Sequence, residues 1–451
     1  MEERIGLIDI GSNTIRLVIF GFTTETGLNE ILNIKTPARL SQYLTEDTKM
    51  NDEGIEVLKE ALRSFKKVAD KFDVQELHPI ATAAIRQSQN RDDIIKQIKK
   101  DLNIKIQIVP EEDEAFYGYY AISHTTDIEN GISVDIGGGS TEVTLFKDKK
   151  LKEAHSFPFG VVTLKRQFFG DKDHNDKPAI KSMEKFLSEQ FNQLDWLKDQ
   201  EIALVGVGGS ARNVARIHQS EHSYPIGGVH NYTMSLKDID EVYDIIRKSS
   251  RDDLTNLDGL SRDRVDIILP AVSVFKTLFK KIDATQFTFS RNGIREGYVM
   301  NLIRQHHPNE FKRDNVRQDA LRHLANEYNI EEDSANRRLK LAQSLLDQLL
   351  KHGNLKVSAQ EKALFVEGAY IYYLGSFIDS DSSSPHTYYL IANSMINGFS
   401  HKDRVKLALL ASFKNKSLLK FYVKETEWFS GKEVDTIQAC LLYTSPSPRD
   451  R

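Results

Sequence analysis

Two stretches of the chain carry the same short pattern. Ile5-Gly6-Leu7-Ile8-Asp9-Ile10-Gly11-Ser12 and Ile132-Ser133-Val134-Asp135-Ile136-Gly137-Gly138-Gly139-Ser140 each run an apolar strand into an Asp-Ile-Gly step and a turn of small residues. A second strand-like run follows each turn, Arg16-Leu17-Val18-Ile19-Phe20 in one case and Val143-Thr144-Leu145-Phe146 in the other. This separates both turns from Walker-type loops, which a helix follows. Glycine has no Cβ, so it takes positive φ and lets an oxyanion approach backbone N–H groups. Ser12, Asn13, Ser140 and Thr141 add side-chain donors. Asp9 and Asp135 sit at the mouth, where a carboxylate repels phosphate unless it holds a divalent cation or a water. Two plain hairpins would use the same turn formers. The repetition within one chain favours phosphate binding instead.

Three further features bear on such a site. Gly208 and Gly209, in Val207-Gly208-Gly209-Ser210-Ala211-Arg212-Asn213, lie between a strand and a helix, and helix N-termini favour anions. Arg86 closes Ala81-Thr82-Ala83-Ala84-Ile85 at the carboxyl end of a strand, where open α/β sheets bind ligands. Its guanidinium matches phosphate in a bidentate way, although a solvated surface arginine fits the spacing equally well. Glu111-Glu112-Asp113-Glu114 follow Pro110. Acids in a first helical turn suit the helix dipole without any function, while a hydrolase needs one carboxylate to orient water. Spacing leaves all four as candidates.

These groups must be positioned by a multidomain α/β frame. At 451 residues the chain is too long for one ordinary core. Strands are predicted over 4–10 and 15–22, a helix over 51–72 capped by Asn51, a strand over 77–82, a helix over 91–101 and a strand over 104–109. Strands at 131–136, 142–146, 202–207 and 285–290 follow, with helices at 211–218, 236–248 and 261–281. From about residue 298 the pattern is almost wholly helical, with a Ser-rich break at Asp379–Pro385. The composition, 40% hydrophobic and 28% charged, is that of a globular protein. No apolar run approaches the ~18 residues of a membrane span. No leader is visible, and the single cysteine, Cys440, excludes a disulfide framework and fits a cytoplasmic setting. The net charge of −4 attracts no polyanion globally, so local cations must do so.

The motifs Asp9–Arg16, Ala81–Arg86, Glu111–Ala115, Asp135–Glu142 and Asn292-Gly293-Ile294-Arg295-Glu296-Gly297 resemble, in this order, those of the exopolyphosphatase/guanosine pentaphosphate phosphohydrolase (Ppx/GppA) family. The resemblance is firm over about residues 4–300. It implies two actin-like (ribonuclease-H-like) domains of the acetate/sugar kinase–actin superfamily at 1–122 and 123–300, then a helical domain at 301–440. It implies Glu114 as general base. Asp9, Gly11, Ser12, Asn13, Arg86, Asp135, Gly137, Gly138, Gly139, Ser140, Gly208 and Gly209 would bind phosphate. Asp9, Asp135 and Glu142 would hold Mg²⁺. The implied substrate is inorganic polyphosphate or guanosine pentaphosphate, with K⁺ stimulating, a homodimeric state, and no nucleic-acid or membrane partner. Arg295 and Glu296 would be mainly structural, locking the last strand–helix joint near the cleft.

The helical domain resembles His-Asp metal phosphohydrolases, but Tyr372 and Tyr373 occupy the places of the metal-binding dyad, so no catalytic metal is expected there. His386 is a lone histidine. Arg337, Arg338, Lys340, Lys402, Arg404 and Lys406 would form either a solvated helix face or a track for a long anion. Residues 441–451 resemble translated adapter read-through, and a longer natural chain is expected.

Overall fold

The computed structural model describes residues 2–352, 357–426 and 428–444. The chain forms two compact units. One comprises Met1–Thr23, Leu28–His222 and Val229–Arg313, and the other Thr24–Gly27, Ser223–Gly228 and Asp314–Arg451.

In the first unit, Ile5, Leu7, Ile8 and Ile10 are all buried. A strand apolar on both faces belongs inside a sheet, not at its edge. Accordingly β1 (Glu3–Ile10) lies between β2 (Ile15–Thr23), antiparallel to it, and β4 (Glu76–Ala81), parallel to it. The edge strand β3 (Gly27–Thr36) flanks β2. Between β3 and β4 runs α1 (Asp52–Lys71), whose Ile55, Leu58, Leu62, Phe65 and Ala69 form its buried face. The Asn51 side chain accepts the Gly54 N–H at 2.9 Å and caps this helix. A short helix α2 (Ala83–Arg86), then α3 (Arg91–Leu102), lead to β5 (Gln107–Ile108), which completes the order β3-β2-β1-β4-β5. The strand expected over 104–109 is only these two residues long. Ile104 and Ile106 are buried in the core without joining the ladder.

Helix α4 (Glu111–Thr125) starts after Pro110 and carries four acids in its first turn. The second sheet then repeats the first. β6 (Gly131–Ile136), β7 (Thr141–Lys147) and β8 (Lys150–Phe157) form an antiparallel run. After the short α5 (Val161–Leu164) and α6 (Lys177–Phe191) comes β9 (Ala203–Val207), parallel to β6 on its other side. Helix α7 (Gly208–Glu221), β10 (Tyr232–Met234), α8 (Leu236–Lys248), the short α9 (Arg251–Asn256) and α10 (Ile268–Lys281) precede β11 (Phe287–Ser290). The order is β10-β11-β9-β6-β7-β8, the first sheet's plan with β10 added at the edge. The helix expected over 261–281 is broken, with Arg262–Arg264 forming a separate 3₁₀ turn.

The unit closes with α11 (Ile294–His306). Glu296 accepts the Gly293 N–H at 2.8 Å and caps the helix. A Cβ at Gly297 would lie 1.9 Å from the Tyr117 carbonyl oxygen, so the packing of α11 against α4 requires glycine there.

The second unit holds α12 (Val316–Glu327), α13 (Glu332–His352), α14 (Ala359–Tyr370), α15 (Ser383–Asn393), α16 (His401–Ala411), α17 (Lys416–Thr426) and α18 (Gly431–Thr444). Residues 445–451 lie outside the described residues. Tyr372 and Tyr373 have ring centroids 4.3 Å apart, and the Tyr372 hydroxyl donates to the Phe413 carbonyl. His386 sits in the first turn of α15. Of the basic residues offered as a solvated face or an anion track, four are engaged within the unit. Arg404 is buried and donates to the Ser394 and Gly227 carbonyls, and Arg338 donates to those of Ala369 and Tyr370. Lys402 and Lys406 both pair with Glu433. Desolvation notwithstanding, those partners and Ser430 hold the Glu433 carboxyl at about 2. Among the described residues, no helix is long and apolar enough to cross a membrane.

Candidate active site

Both glycine turns close with the same hydrogen bond, Gly11 N–H to Thr14 O at 3.0 Å and Gly137 N–H to Ser140 O at 2.9 Å. Their other carbonyls are tied back from outside. Ser12 O and Asn13 O accept from the Ser41 and Arg39 N–H groups, and Gly137 O and Gly138 O accept from those of Val161 and Val162. A Cβ at Gly160 would sit 2.4 Å from Gly137 O, so a glycine is needed to bring α5 this close. With the carbonyls engaged, the N–H groups of Ser12, Asn13, Gly138 and Gly139 make no backbone hydrogen bond among the described residues. None of the glycines of these two turns takes the positive φ expected of them, so the free N–H groups are offered to an anion by plain tight turns.

The turns meet. A Cβ at Gly138 would lie 3.2 Å from Ser12 Cβ and 3.6 Å from Asn13 Cβ. Beside them is a cavity of about 170 Å³ lined by Asp9, Gly11, Ser12, Asn13, Glu114, Asp135, Gly137, Gly138, Ser140, Glu142, Gly208 and Gly209. Gly139 faces a neighbouring cavity of about 840 Å³ that shares Ser12 and Asn13 with the first. Gly208 has φ +85, and a Cβ there would lie 2.7 Å from Asp135 Oδ1. Its missing side chain makes room for that carboxylate.

The carboxylates are under electrostatic stress. Burial pushes Asp9 up, against the pull of Arg295 and Arg16. It pushes Asp135 up to about 6 despite Arg295, with Asp9 adding repulsion. Glu114 is driven to about 7 by desolvation, opposed by Arg86 and reinforced by Asp135 and Asp9. Glu142 is pushed well above its ordinary value by burial and the nearby Glu114 charge, although Ser156 donates to it at 3.1 Å. A carboxylate poised near neutrality in a cleft is suited to proton transfer.

Arg86 stands behind Glu114. It does not line the cavity. Its Nη1 donates to Glu114 Oε2 at 2.7 Å and to Val109 O at 2.9 Å, and its Nη2 reaches Glu111 at 3.4 Å. Such a contact holds the Glu114 carboxylate in one orientation. The expected result for Arg86→Gln is an acidic limb of the kcat profile moved up by about one pH unit, since an opposite charge at this range depresses a carboxyl by about that much. KM should stay near its original value. A large rise in KM with an unmoved limb would identify Arg86 as a phosphate ligand instead.

The cavity's cations were not apparent in the sequence. Arg16, Arg212, Arg264, Arg291 and Arg295 all line it. Arg295 is largely enclosed, its Nε 4.0 Å from Asp9 and without a hydrogen-bond partner among the described residues. Of the two residues taken as mainly structural, Glu296 serves the fold, while Arg295 reaches from that joint into the cleft. Arg264 reaches the cleft from the 3₁₀ turn, donating to Ser210 Oγ at 2.9 Å. It lies on Gly209, where a Cβ would be 2.2 Å from its Nη2. Desolvation and the crowd of Arg295, Arg216, Arg16 and Arg291 push Arg212 down to about 10. Cations that raise one another's energy in this way favour binding of an anion.

Asp9, Asp135 and Glu142 are hard oxygen donors shielded from bulk water, and burial and mutual repulsion work against their charged forms, so a cation among them would relieve that strain. They are not a tight cage. Among the described residues, the trio whose ligand atoms lie within 4.8 Å of one another is a different one, His218, His222 and Glu241. An open carboxylate set fits Mg²⁺, which keeps waters and takes phosphate oxygens as further ligands.

Comparison with known proteins bears on this geometry. Residues 19–306 match the Ppx/GppA phosphatase family, and residues 316–442 match Ppx/GppA phosphatase domain III. Among solved structures, the Aquifex aeolicus Ppx/GppA family member is 25% identical, with a TM-score of 0.59, covering 68% of this chain and 99% of its own. An exopolyphosphatase from Cytophaga hutchinsonii ATCC 33406 is 22% identical, with a TM-score of 0.61, covering 67% of this chain and 98% of its own.

Proposed function

The chain belongs to the Ppx/GppA phosphatase family and is a hydrolase, and on that premise we propose that it removes terminal phosphate from inorganic polyphosphate, one orthophosphate at a time. The observation that carries the reading is the meeting of both glycine turns, five arginines and a carboxylate poised near pH 7 around one cavity. Phosphoryl transfer needs mainly positioning and stabilisation of charge, which backbone donors and guanidinium groups supply.

The end phosphoryl group lies against the N–H groups of Ser12, Asn13, Gly138 and Gly139, with Arg295 and Arg212 neutralising its oxygens. Glu114, oriented by Arg86, takes a proton from water as the water oxygen attacks terminal phosphorus. The anhydride P–O bond breaks, and the electron pair leaves on the shortened chain. Asp9, Asp135 and Glu142 would hold Mg²⁺, which when bound offsets phosphate charge. K⁺ stimulation, a homodimer and a cytoplasmic setting accompany this reading on the strength of the family resemblance. The larger cavity beyond Ser12 and Asn13, with Arg39, Lys165 and Arg166 in its wall, offers a polymer room past its end group. Lys165 is already paired there with Asp266, which leaves the two arginines as its cations for a chain.

The test is phosphate release, in Mg²⁺ with and without K⁺, from polyphosphates of several lengths and from guanosine pentaphosphate in competition. Efficiency should rise with polymer length and exceed that on the nucleotide. A preference for guanosine pentaphosphate would replace the polymer by the nucleotide's 5′ terminal phosphate. No release from either would leave a phosphate-binding regulator without turnover.

A further inference from the structure

A second cluster of chemistry-bearing side chains lies on the helix pair α7 and α8. His218 and His222 are one turn apart at the carboxyl end of α7, so both present their rings on one face. Their ring centroids are 4.4 Å apart. Asp238 and Glu241, at i and i+3 on α8, face them, with His222 Nε2 3.1 Å from Glu241 Oε1 and His218 Nε2 3.6 Å from Asp238 Oδ1. The ligand atoms of His218, His222 and Glu241 all fall within 4.8 Å of one another.

His218 makes this more than a chance grouping of surface groups. It is 8% exposed, and its Nε2 is buried without a hydrogen-bond partner among the described residues. A buried orphan nitrogen is costly and calls for a ligand. Its other nitrogen, Nδ1, lies 2.7 Å from the Tyr232 hydroxyl. A ring fixed through one nitrogen while the other faces a metal is how ligating histidines are usually held.

We propose that His218, His222 and Glu241 bind a transition-metal dication of the Zn²⁺ type, separate from the Mg²⁺ of the cleft, with Asp238 supplying a further oxygen or holding a bound water. Two imidazoles and a carboxylate suit Zn²⁺ and not Mg²⁺, which prefers oxygen donors throughout. Ligand atoms on tetrahedral zinc are about 3.3 Å apart at the usual ~2.0 Å bond lengths, so the trio must close slightly. The half-exposed His222 and Glu241 side chains have room to do so. The ion would clamp the carboxyl end of α7 to α8, and the other end of α7 carries Gly208, Gly209 and Arg212 of the cleft.

The experiment uses the full chain, stripped of metal and free of any purification tag, titrated with Co²⁺ in excess Mg²⁺. One equivalent should bring up visible d–d absorption of tetrahedral intensity, which Zn²⁺ then abolishes. His222→Ala and Glu241→Gln, both at partly exposed positions, should each weaken binding at least about tenfold while circular dichroism stays unchanged. Asp135→Asn, in the cleft, should leave the titration as it was. Absence of the bands, equal binding by His222→Ala, or loss of the bands in Asp135→Asn would overturn the proposal.

Discussion

Glu114→Gln is expected to lower turnover of polyphosphate at least ~10²-fold, the usual scale for removing a general base, while leaving binding of the polymer in place. The amide keeps the shape and the contact with Arg86 but accepts no proton. The same change should stabilise the fold, and the sign follows from the carboxyl's displacement. Its folded value is about 7 against an ordinary 4.5. Between those values the folded chain holds a proton the unfolded chain has released, so stability falls as pH rises through that window. Above pH 7 the cost is fully present, and below about 4.5 it is gone. Glutamine removes it, so the Tm of the variant should exceed that of the parent most clearly at alkaline pH. The parent's kcat should climb with pH toward 7, limited by the fraction of ionised Glu114. A calorimetric scan at several pH values and a phosphate-release assay check both halves. Near-normal turnover in the variant would end the assignment of Glu114.

Arg295→Met is expected to do harm twice. The guanidinium is enclosed, and burial works against its charge, but Glu296, Asp9 and Asp135 hold its proton more firmly than in water. Removing one partner of a buried ion pair costs about 3–5 kcal/mol, because the other charges stay behind. Asp9 and Asp135 should then shift further up. Loss of a donor aimed at phosphate oxygens should lower kcat/KM by about 10²–10³-fold. Arg295→Lys separates the two effects. It restores charge and much of the stability but not the planar fork, so its Tm should recover while its rate stays low. Full recovery of rate by lysine would make Arg295 a structural counter-charge only.

The features legible in the sequence were those written in neighbouring residues. The Asp-Ile-Gly steps placed both turns, and the apolar spacing of Ile55, Leu58, Leu62 and Phe65 behind Asn51 marked α1. Strand β3 escaped because an edge strand, here with Asn29 and Glu30 exposed, shows little buried periodicity. Strand β8 escaped likewise, since Lys150 to Ala154 are exposed. The arginines of the cleft were hidden for a different reason. They come from β2, α7, the 3₁₀ turn, the end of β11 and α11, so only the tertiary fold collects them. Gly209 did leave a trace, and its cause is the guanidinium of Arg264 lying upon it. Arg86 was found by its position at a strand end, but which way it turns depends on α4, built from residues far along the chain.

The two turns are alike in backbone and unlike in the residue paired across the strands beside each. Asp9 stands opposite Arg16, whereas Asp135 stands opposite Glu142. The two halves, alike in plan, therefore bring a guanidinium at one such cross-strand place and a carboxylate at the other to the wall of the same cavity. A linear phosphate polymer reads the same from either end, so under the proposed function either terminus can present its end group to this cleft.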